Sequence, residues 1–324
     1  MTFKIVYSDH LFDNLDYERG LFEEIDAIVV DGEATEAPLE EIVVDADALV
    51  VMYRPVNAAL MDRMPNCKII NRSGIGFDIV DLDAATERGI YVTNIPDYCI
   101  QEVSDHAMAM ILALQRKIAF YNTMMKAGEW DLNKGWMMHR IENQTLGLVA
   151  FGNIARAVCK KALVFGMNVI AYDPYLTDEQ IIEGGAEPIK DLDSLLMNSD
   201  VISVHTPLTP ETRGLIGERE ISLMKENAII INVARGGIVD EDALLIALEE
   251  KRILGAGLDV FAKEPVDLFG PLIQQERLIC TPHAAWNSVE SEMERRQKSA
   301  EDVIRALQGT VPKYLVNRKV LDRK

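Results

Sequence analysis

Apolar residues in this chain cluster first in short runs. FKIVY (3–7), AIVVD (27–31), ALVVM (48–52) and KIINR (68–72) are rich in β-branched residues on both alternations. That pattern predicts strands buried on both faces, and a polar or helical stretch follows each. The segment SDHAMAMILALQRKIAFYNTMMKAG (104–128) is apolar-periodic and far too long for a strand. It predicts one long helix leaving the first domain. A second series begins at TLGLVAF (145–151) and runs through MNVIAYD, DVISVH, AIIINV, AGLDV and LICTPH (278–283). Six strands separated by helical segments predict a doubly wound parallel sheet. The helical pattern NSVESEMERRQKSAEDVIRALQG (287–309) is expected to fold back onto the first domain. The expected organisation is therefore α/β: residues 1–100 with 288–324 as one discontinuous domain, and 101–287 as another.

Composition narrows the partners. At 324 residues the chain has room for two ordinary cores, with 48% apolar and 26% charged positions. Lys+Arg 33 against Asp+Glu 52 gives a net charge of −19, which argues against nucleic acid and acidic membranes as partners. An anion site must then be built from local donors. Cys67, Cys99, Cys159 and Cys280 show no metal-ligand spacing, so no metal is expected. Cys280 reads as a small core residue ahead of a reactive thiol. The opening MTFKIVYSDH lacks a secretory pattern and no apolar run nears the about 20 residues of a membrane span, so a cytoplasmic setting with reduced thiols is expected.

Between TLGLVAF and the helix that follows lies the place for a dinucleotide fingerprint, G-x-G-x-x-G. Here it reads Ala150-Phe151-Gly152-Asn153-Ile154-Ala155, with only the middle glycine kept. Gly152 would let the backbone approach a pyrophosphate, which then meets the free N–H groups of a helix N-terminus. Ala155 still permits close helix–strand packing, whereas Ala150 falls where a tight turn usually wants glycine. Asp173 supports the reading. It lies about twenty residues on, where a carboxylate accepts from the adenosine ribose and repels a 2′-phosphate, favouring NAD over NADP. Its plain alternative is a turn former ahead of Pro174.

Three later segments each end an apolar run and carry one ionisable group: Arg235 in INVARGGIVDEDAL, Glu264 in GAGLDVFAKEP and His283 in CTPHAAW. The crevice beyond the strand ends of a doubly wound sheet is where ligands bind. A planar guanidinium there engages a carboxylate and a neighbouring oxo group together. A carboxylate beside an imidazole favours its charged form, so the histidine acts as acid in one direction and base in the other. Each residue alone has an ordinary structural reading; the set carries the chemistry. In the first domain, Asn71–Asp78 ends KIINR with Ser73, Gly74, Ile75 and Gly76, and its successive N–H groups are expected to form an anion-binding nest. Arg54, after ALVVM, is a candidate for a second anionic group on the substrate, with a plain surface arginine as the alternative.

Taken together, SGIGFDIVDLDAA, VHTPLTPETRGLI, VARGGIVDEDAL, GLDVFAKEP and TPHAAW resemble, in order, the signatures of the D-isomer-specific 2-hydroxyacid dehydrogenase family. The resemblance covers nearly the whole chain. It implies a flavodoxin-like substrate domain and a Rossmann NAD-binding domain with a cleft between them. It also implies NAD-dependent interconversion of a (2R)-hydroxy acid and its 2-oxo acid, with Arg235, Glu264 and His283 catalytic. Cofactor contacts would fall on Ile75, Gly152, Asn153, Ile154, Asp173, Thr206, Val233, Ala234 and Asp259, the last holding the nicotinamide carboxamide. Substrate contacts would fall on Ser73, Gly74, Arg235, His283 and Trp286, to which the residue reading adds Arg54 as a candidate.

The motifs DPYLTD, HAAW and GTVPKYLVN resemble most the C-terminal-binding protein branch, corepressors that keep a dehydrogenase fold. The alternative function is thus an NAD(H)-sensing interaction protein, against which the intact Arg/Glu/His set argues. Formate enzymes of the family carry glutamine where this chain has Glu264. Family members are usually homodimers joined through their cofactor domains, a role the helix from Ser104 fits. Ile79 replaces a common asparagine, and the chain, read to Lys324, is expected to lack the C-terminal regulatory domain of some phosphoglycerate dehydrogenases.

Overall fold

Five parallel strands form the first sheet, in the order β2-β1-β3-β4-β5. They are β1 (Phe3–Tyr7), β2 (Ala27–Asp31), β3 (Ala48–Val51), β4 (Ile69–Arg72) and β5 (Tyr91–Thr93). The computed structural model describes residues 2–323; Met1 and Lys324, the outermost positions of the expected first domain, lie outside the described residues. Alternation along each strand sends side chains to two cores. Val6, Leu49, Val51, Ile70 and Val92 pack beneath the short helices α2 (Leu39–Ile42), α3 (Ala58–Met61) and α4 (Leu82–Glu87). Ile5, Tyr7, Val50, Ile69 and Tyr91 face the other way, with Leu15 and Phe22 from around α1 (Asp16–Phe22). This strand order is that of flavodoxin-like sheets. β5 follows Gly89 and escaped the reading of apolar runs because it is only three residues long.

The expected single helix over 104–128 is broken. α5 (Ile100–Gln115) and α6 (Ile118–Lys126) are separated at Lys117, whose backbone is left-handed at φ 54. Lys117 is buried, its Nζ donates to the Lys134 carbonyl at 2.9 Å, and it lies over the Tyr121 and Trp136 rings. That anchorage offsets the cost of stopping an apolar-periodic helix mid-run.

The second sheet has seven parallel strands, ordered β12-β11-β10-β9-β6-β7-β8. They are β6 (Thr145–Val149), β7 (Asn168–Tyr172), β8 (Glu187–Pro188), β9 (Val201–Val204), β10 (Ile229–Asn232), β11 (Gly255–Leu258) and β12 (Leu278–Cys280). The added seventh, β8, is a two-residue edge strand ending in proline, which lacks a ladder donor. Its helices are α7 (Asn153–Val164), α8 (Asp178–Glu183), α9 (Leu192–Asn198), α10 (Glu218–Leu223) and α11 (Glu241–Glu249). Strand order reverses between β6 and β9, the Rossmann switch point. One core joins Ile202, Val204, Ile230, Ala256 and Leu258 to Leu244 and Leu248 of α11. On the opposite face α5 lies so close to β11 that a Cβ at Gly257 would press on Met110.

The chain then forms α12 (Val289–Leu307), capped by Ser288, whose Ala300, Val303, Ala306 and Leu307 complete the core above β1, β3 and β4. The backbone divides into Met1–Tyr98 with Ser288–Lys324, and Cys99–Asn287.

Candidate active site

Strand β6 ends in a turn whose first residue, Ala150, has φ 69. This left-handed conformation costs a residue with a Cβ roughly 1–2 kcal/mol, and two neighbours hold it. The Ala150 N–H donates to the Tyr172 carbonyl at 2.8 Å, and the Phe151 N–H to Asp173 Oδ2 at 2.9 Å. Asp173 Oδ1 also accepts the Tyr175 N–H at 2.9 Å, so its carboxylate shapes the turn on both sides. Gly152 then begins α7 with no side chain to cap it, and the space where its Cβ would stand is open. The first N–H groups of a twelve-residue helix are thus presented to that space, with Asn153 and Ile154 as its first two residues. This suits a pyrophosphate. Thr206 follows β9 on the other side of the switch point and is buried.

The three candidate catalytic groups sit on the loops after β10, β11 and β12. Asn232, at the end of β10, pins the first: its Nδ2 donates to the Arg235 carbonyl at 2.8 Å and its Oδ1 accepts the Ala234 N–H at 3.0 Å. Val233 is buried beneath it, and the Arg235 guanidinium donates to the Ala234 carbonyl at 2.8 Å. The next residue, Gly236, touches the second loop so closely that a Cβ would overlap the Phe261 carbonyl and the Ala262 nitrogen. In that second loop Glu264 Oε1 accepts the Phe261 N–H at 2.9 Å, and the Ala262 N–H is taken by Glu241 Oε1 at 2.5 Å.

Glu264 Oε2 lies 2.7 Å from His283 Nδ1, which leaves the other ring nitrogen for a reactant. Burial alone would push the Glu264 carboxyl up. The His283 and Phe261 hydrogen bonds, with the charges of His283 and Arg235, more than reverse this and hold it below the ordinary glutamate value. Burial, by contrast, raises Glu241, helped by the nearby carboxylates of Asp242, Asp240 and Glu264.

His283 itself has a left-handed backbone, φ 53. Asp259, 1% exposed, organises its turn. Its carbonyl accepts the His283 N–H at 2.8 Å; its Oδ1 accepts Thr281 Oγ1–H at 2.5 Å and the Ala284 N–H at 2.8 Å; its Oδ2 accepts the Ala285 N–H at 3.0 Å. Trp286 follows, half-buried.

In the first unit the expected nest is altered. The Ser73 N–H donates to the Val51 carbonyl and the Gly74 N–H to that of Arg72, both at 2.8 Å, so neither is available to an anion. The Ile75 and Gly76 amides are the ones left, on a loop held by Ile95 N–H to Gly74 and by Asn94 Nδ2 to the Ile75 carbonyl at 2.6 Å. A Cβ on Gly74 would strike the Arg72 guanidinium. Arg295, fully buried on α12, donates to Ser73 Oγ at 3.2 Å. The exposed Arg54 belongs to a loop wrapped on the Asp9 carboxylate, which accepts the N–H groups of Met52, Tyr53 and Arg54.

Two other expectations change. Cys280 is at the surface instead of in the core; it ends an edge strand, and partial desolvation pushes its thiol up. The helix expected from Ser104 begins earlier, at Ile100, and Ser104 itself is buried, its hydroxyl accepting from Lys161 Nζ. Exposed apolar residues lie on α6 and the segment after it: Ile118, Met125, Trp130 at 87%, Leu132 at 74% and Met137 at 73%. Among the described residues no helix is long and apolar enough to cross a membrane, and no cluster of His, Cys, Asp or Glu could hold a metal. The sequence reading passed over Asn232, Gly236, Glu241 and Asp9. Only the first glycine of Arg-Gly-Gly and the run Asp-Glu-Asp hint at them in the sequence.

Comparison with known proteins shows the family. The family profile described as D-isomer specific 2-hydroxyacid dehydrogenase, NAD binding domain, matches residues 108–285. The chain is 39% identical over 298 residues to D-3-phosphoglycerate dehydrogenase of Methanocaldococcus jannaschii, covering 92% of this chain and 56% of that protein, so it spans about half of that relative. It is 37% identical over 313 residues to glyoxylate reductase of Korarchaeum cryptofilum, covering 94% of each. A solved D-lactate dehydrogenase of Aquifex aeolicus, complexed with NAD and lactic acid, superposes with a TM-score of 0.85 at 30% identity, over 94% of this chain and 96% of that one. The chain therefore belongs to the D-isomer-specific 2-hydroxyacid dehydrogenase family, a family of oxidoreductases, and carries its NAD-binding domain.

Proposed function

We propose that this protein interconverts a (2R)-hydroxy acid and its 2-oxo acid, with Arg235, Glu264 and His283 acting on the substrate. The observation that carries the reading is the 2.7 Å Glu264–His283 pair on a loop fastened to the Arg235 turn through Gly236. NAD, when bound, supplies or takes the hydride. Gly152, Asn153 and Ile154 would hold its pyrophosphate and Asp173 its ribose, with Thr206, Val233, Ala234, Asp259 and Ile75 as further contacts.

Glu264, ionised because its carboxyl lies low, fixes the imidazole through Nδ1. In reduction His283 gives the proton from its other nitrogen to the substrate oxygen, and in oxidation it takes it back. Arg235 engages the substrate carboxylate and stabilises negative charge building on the oxygen. Arg54, Ser73, Gly74 and Trp286 are proposed substrate contacts, with Ile75 and Gly76 as the amide donors of the Ser73–Gly76 loop.

The test is NADH oxidation against glyoxylate, hydroxypyruvate and its phosphate, 2-oxoglutarate and a thioether-bearing oxo acid. The His283→Ala variant should lose turnover by about 10²–10⁴-fold. Equal rates in wild type and variant would reject the acid–base role. If Arg54→Ala leaves relative rates on charged and neutral oxo acids unchanged, Arg54 binds no second anion.

A homodimer formed through the NAD-binding unit, in a cytoplasmic setting, completes the proposal. The exposed apolar residues of α6 and its following segment support the dimer, and the thiols, none of which is in a disulfide, are consistent with a reducing compartment. Light scattering on Trp130→Glu, expected as a monomer, checks the first.

A further inference from the structure

Outside the groups assigned so far, one histidine touches the scaffold of the His283 turn. His106, on α5, places Nε2 2.9 Å from Thr281 Oγ1 and 3.7 Å from Asp259 Oδ1. Thr281 Oγ1 in turn lies 2.5 Å from Asp259 Oδ1. A hydroxyl has one proton. With that proton committed to a buried carboxylate, Thr281 must accept from His106, so Nε2 carries a hydrogen. The Asp259 carboxylate also receives the Ala284 and Ala285 amides, and its carbonyl receives the His283 amide. The chain of contacts thus runs from a sixteen-residue helix packed on β10 and β11 to the left-handed His283. A non-glycine residue keeps that conformation only where its surroundings over-determine it.

We propose that His106 is a positioning residue that, through Thr281 and Asp259, locks the turn presenting the His283 imidazole to Glu264. The proposal rests on the reading of His283 as the acid–base group. His106→Leu removes the donor, frees the Thr281 hydroxyl and loosens the turn, and kcat should fall about tenfold. His106→Gln, whose amide can donate from nearly the same place, should restore most of the loss.

The decisive readout is His283 itself in the unliganded protein. With five histidines in the chain, its ring signal in a proton–carbon NMR spectrum is identified by its disappearance in His283→Ala. The signal should move or broaden in His106→Leu, move likewise in Thr281→Val, and return in His106→Gln. An unchanged signal in His106→Leu, or in Thr281→Val should the leucine variant not fold, overturns the proposal. The effects of His106→Leu and Thr281→Val on kcat should also be less than multiplicative; full multiplicativity would break the relay. If the wild type turns over no oxo acid, the functional reading falls, and the NMR comparison still decides the relay.

Discussion

Two turns of the NAD-binding unit solve the same backbone problem for different purposes. Ala150 after β6 and His283 after β12 are both left-handed, at φ 69 and φ 53. Each donates its N–H at 2.8 Å to a carbonyl at the end of the neighbouring strand, Tyr172 or Asp259. Each turn is then clamped by an aspartate carboxylate: Asp173 takes the Phe151 N–H, and Asp259 takes the Ala284 and Ala285 N–H groups. At Ala150 the side chain contributes nothing to the chemistry, and glycine would adopt the turn without strain. At His283 the side chain is the proposed acid–base group, so the strain cannot be removed without removing that group. A fingerprint that has lost its first glycine can therefore keep its turn, because the clamp does the holding.

The largest effect short of removing the histidine is expected at Arg235. Replacing Arg235 by Gln should lower kcat/KM for oxo acids by about 10²–10³-fold while NADH binding, followed by fluorescence, stays intact. Next comes the glycine that brings the two reacting loops together. Gly236→Ala should destabilise the unit by about 1–3 kcal/mol in urea and lower turnover with it, because its Cβ overlaps the Phe261 carbonyl. A Gly236→Ala protein with wild-type stability would show that the loops are not in forced contact.

The Glu264 carboxylate links the reacting centre to pH. Its folded value lies below the ordinary glutamate value, so its contribution to stability is complete above the ordinary range and is lost as pH falls through the folded value. Glu264→Gln should flatten that acid limb in urea denaturation at a series of pH values. The smallest effect is expected at the cofactor turn. Ala150→Gly removes a cost of roughly 1–2 kcal/mol, partly offset by the glycine's looser unfolded chain. A net gain of under about 1 kcal/mol with unchanged kcat is expected; a loss would mean that the Ala150 methyl packs usefully.

Much of this was legible in the sequence because it depends on local pattern. Continuous apolar runs marked ten of the twelve strands, missing only two- and three-residue β8 and β5. Arg235, Glu264 and His283 stood out because each is an ionisable residue just past a run. What pattern cannot carry is long-range contact. Lys117 breaks an apolar-periodic helix because Lys134 and Trp136, well downstream, receive its ammonium. The Ser73–Gly74 amides turned inward because Val51 and Arg72 carbonyls were within reach. Glu241 reaches Ala262 across 21 residues, and His106 reaches Thr281 across 175. The resemblance to corepressor-like members rested on three short motifs, and the family match extends to the reaction class without reaching that branch.

The two-turn account is tested most directly by separating binding from chemistry in one variant. NADH binding by fluorescence titration and single-turnover reduction of glyoxylate would be measured side by side for wild type and His283→Ala. The account predicts a dissociation constant for NADH within about twofold of wild type and a reduction step that is lost. Retained reduction, or NADH binding lost together with it, would contradict the division of labour between the Ala150 and His283 turns.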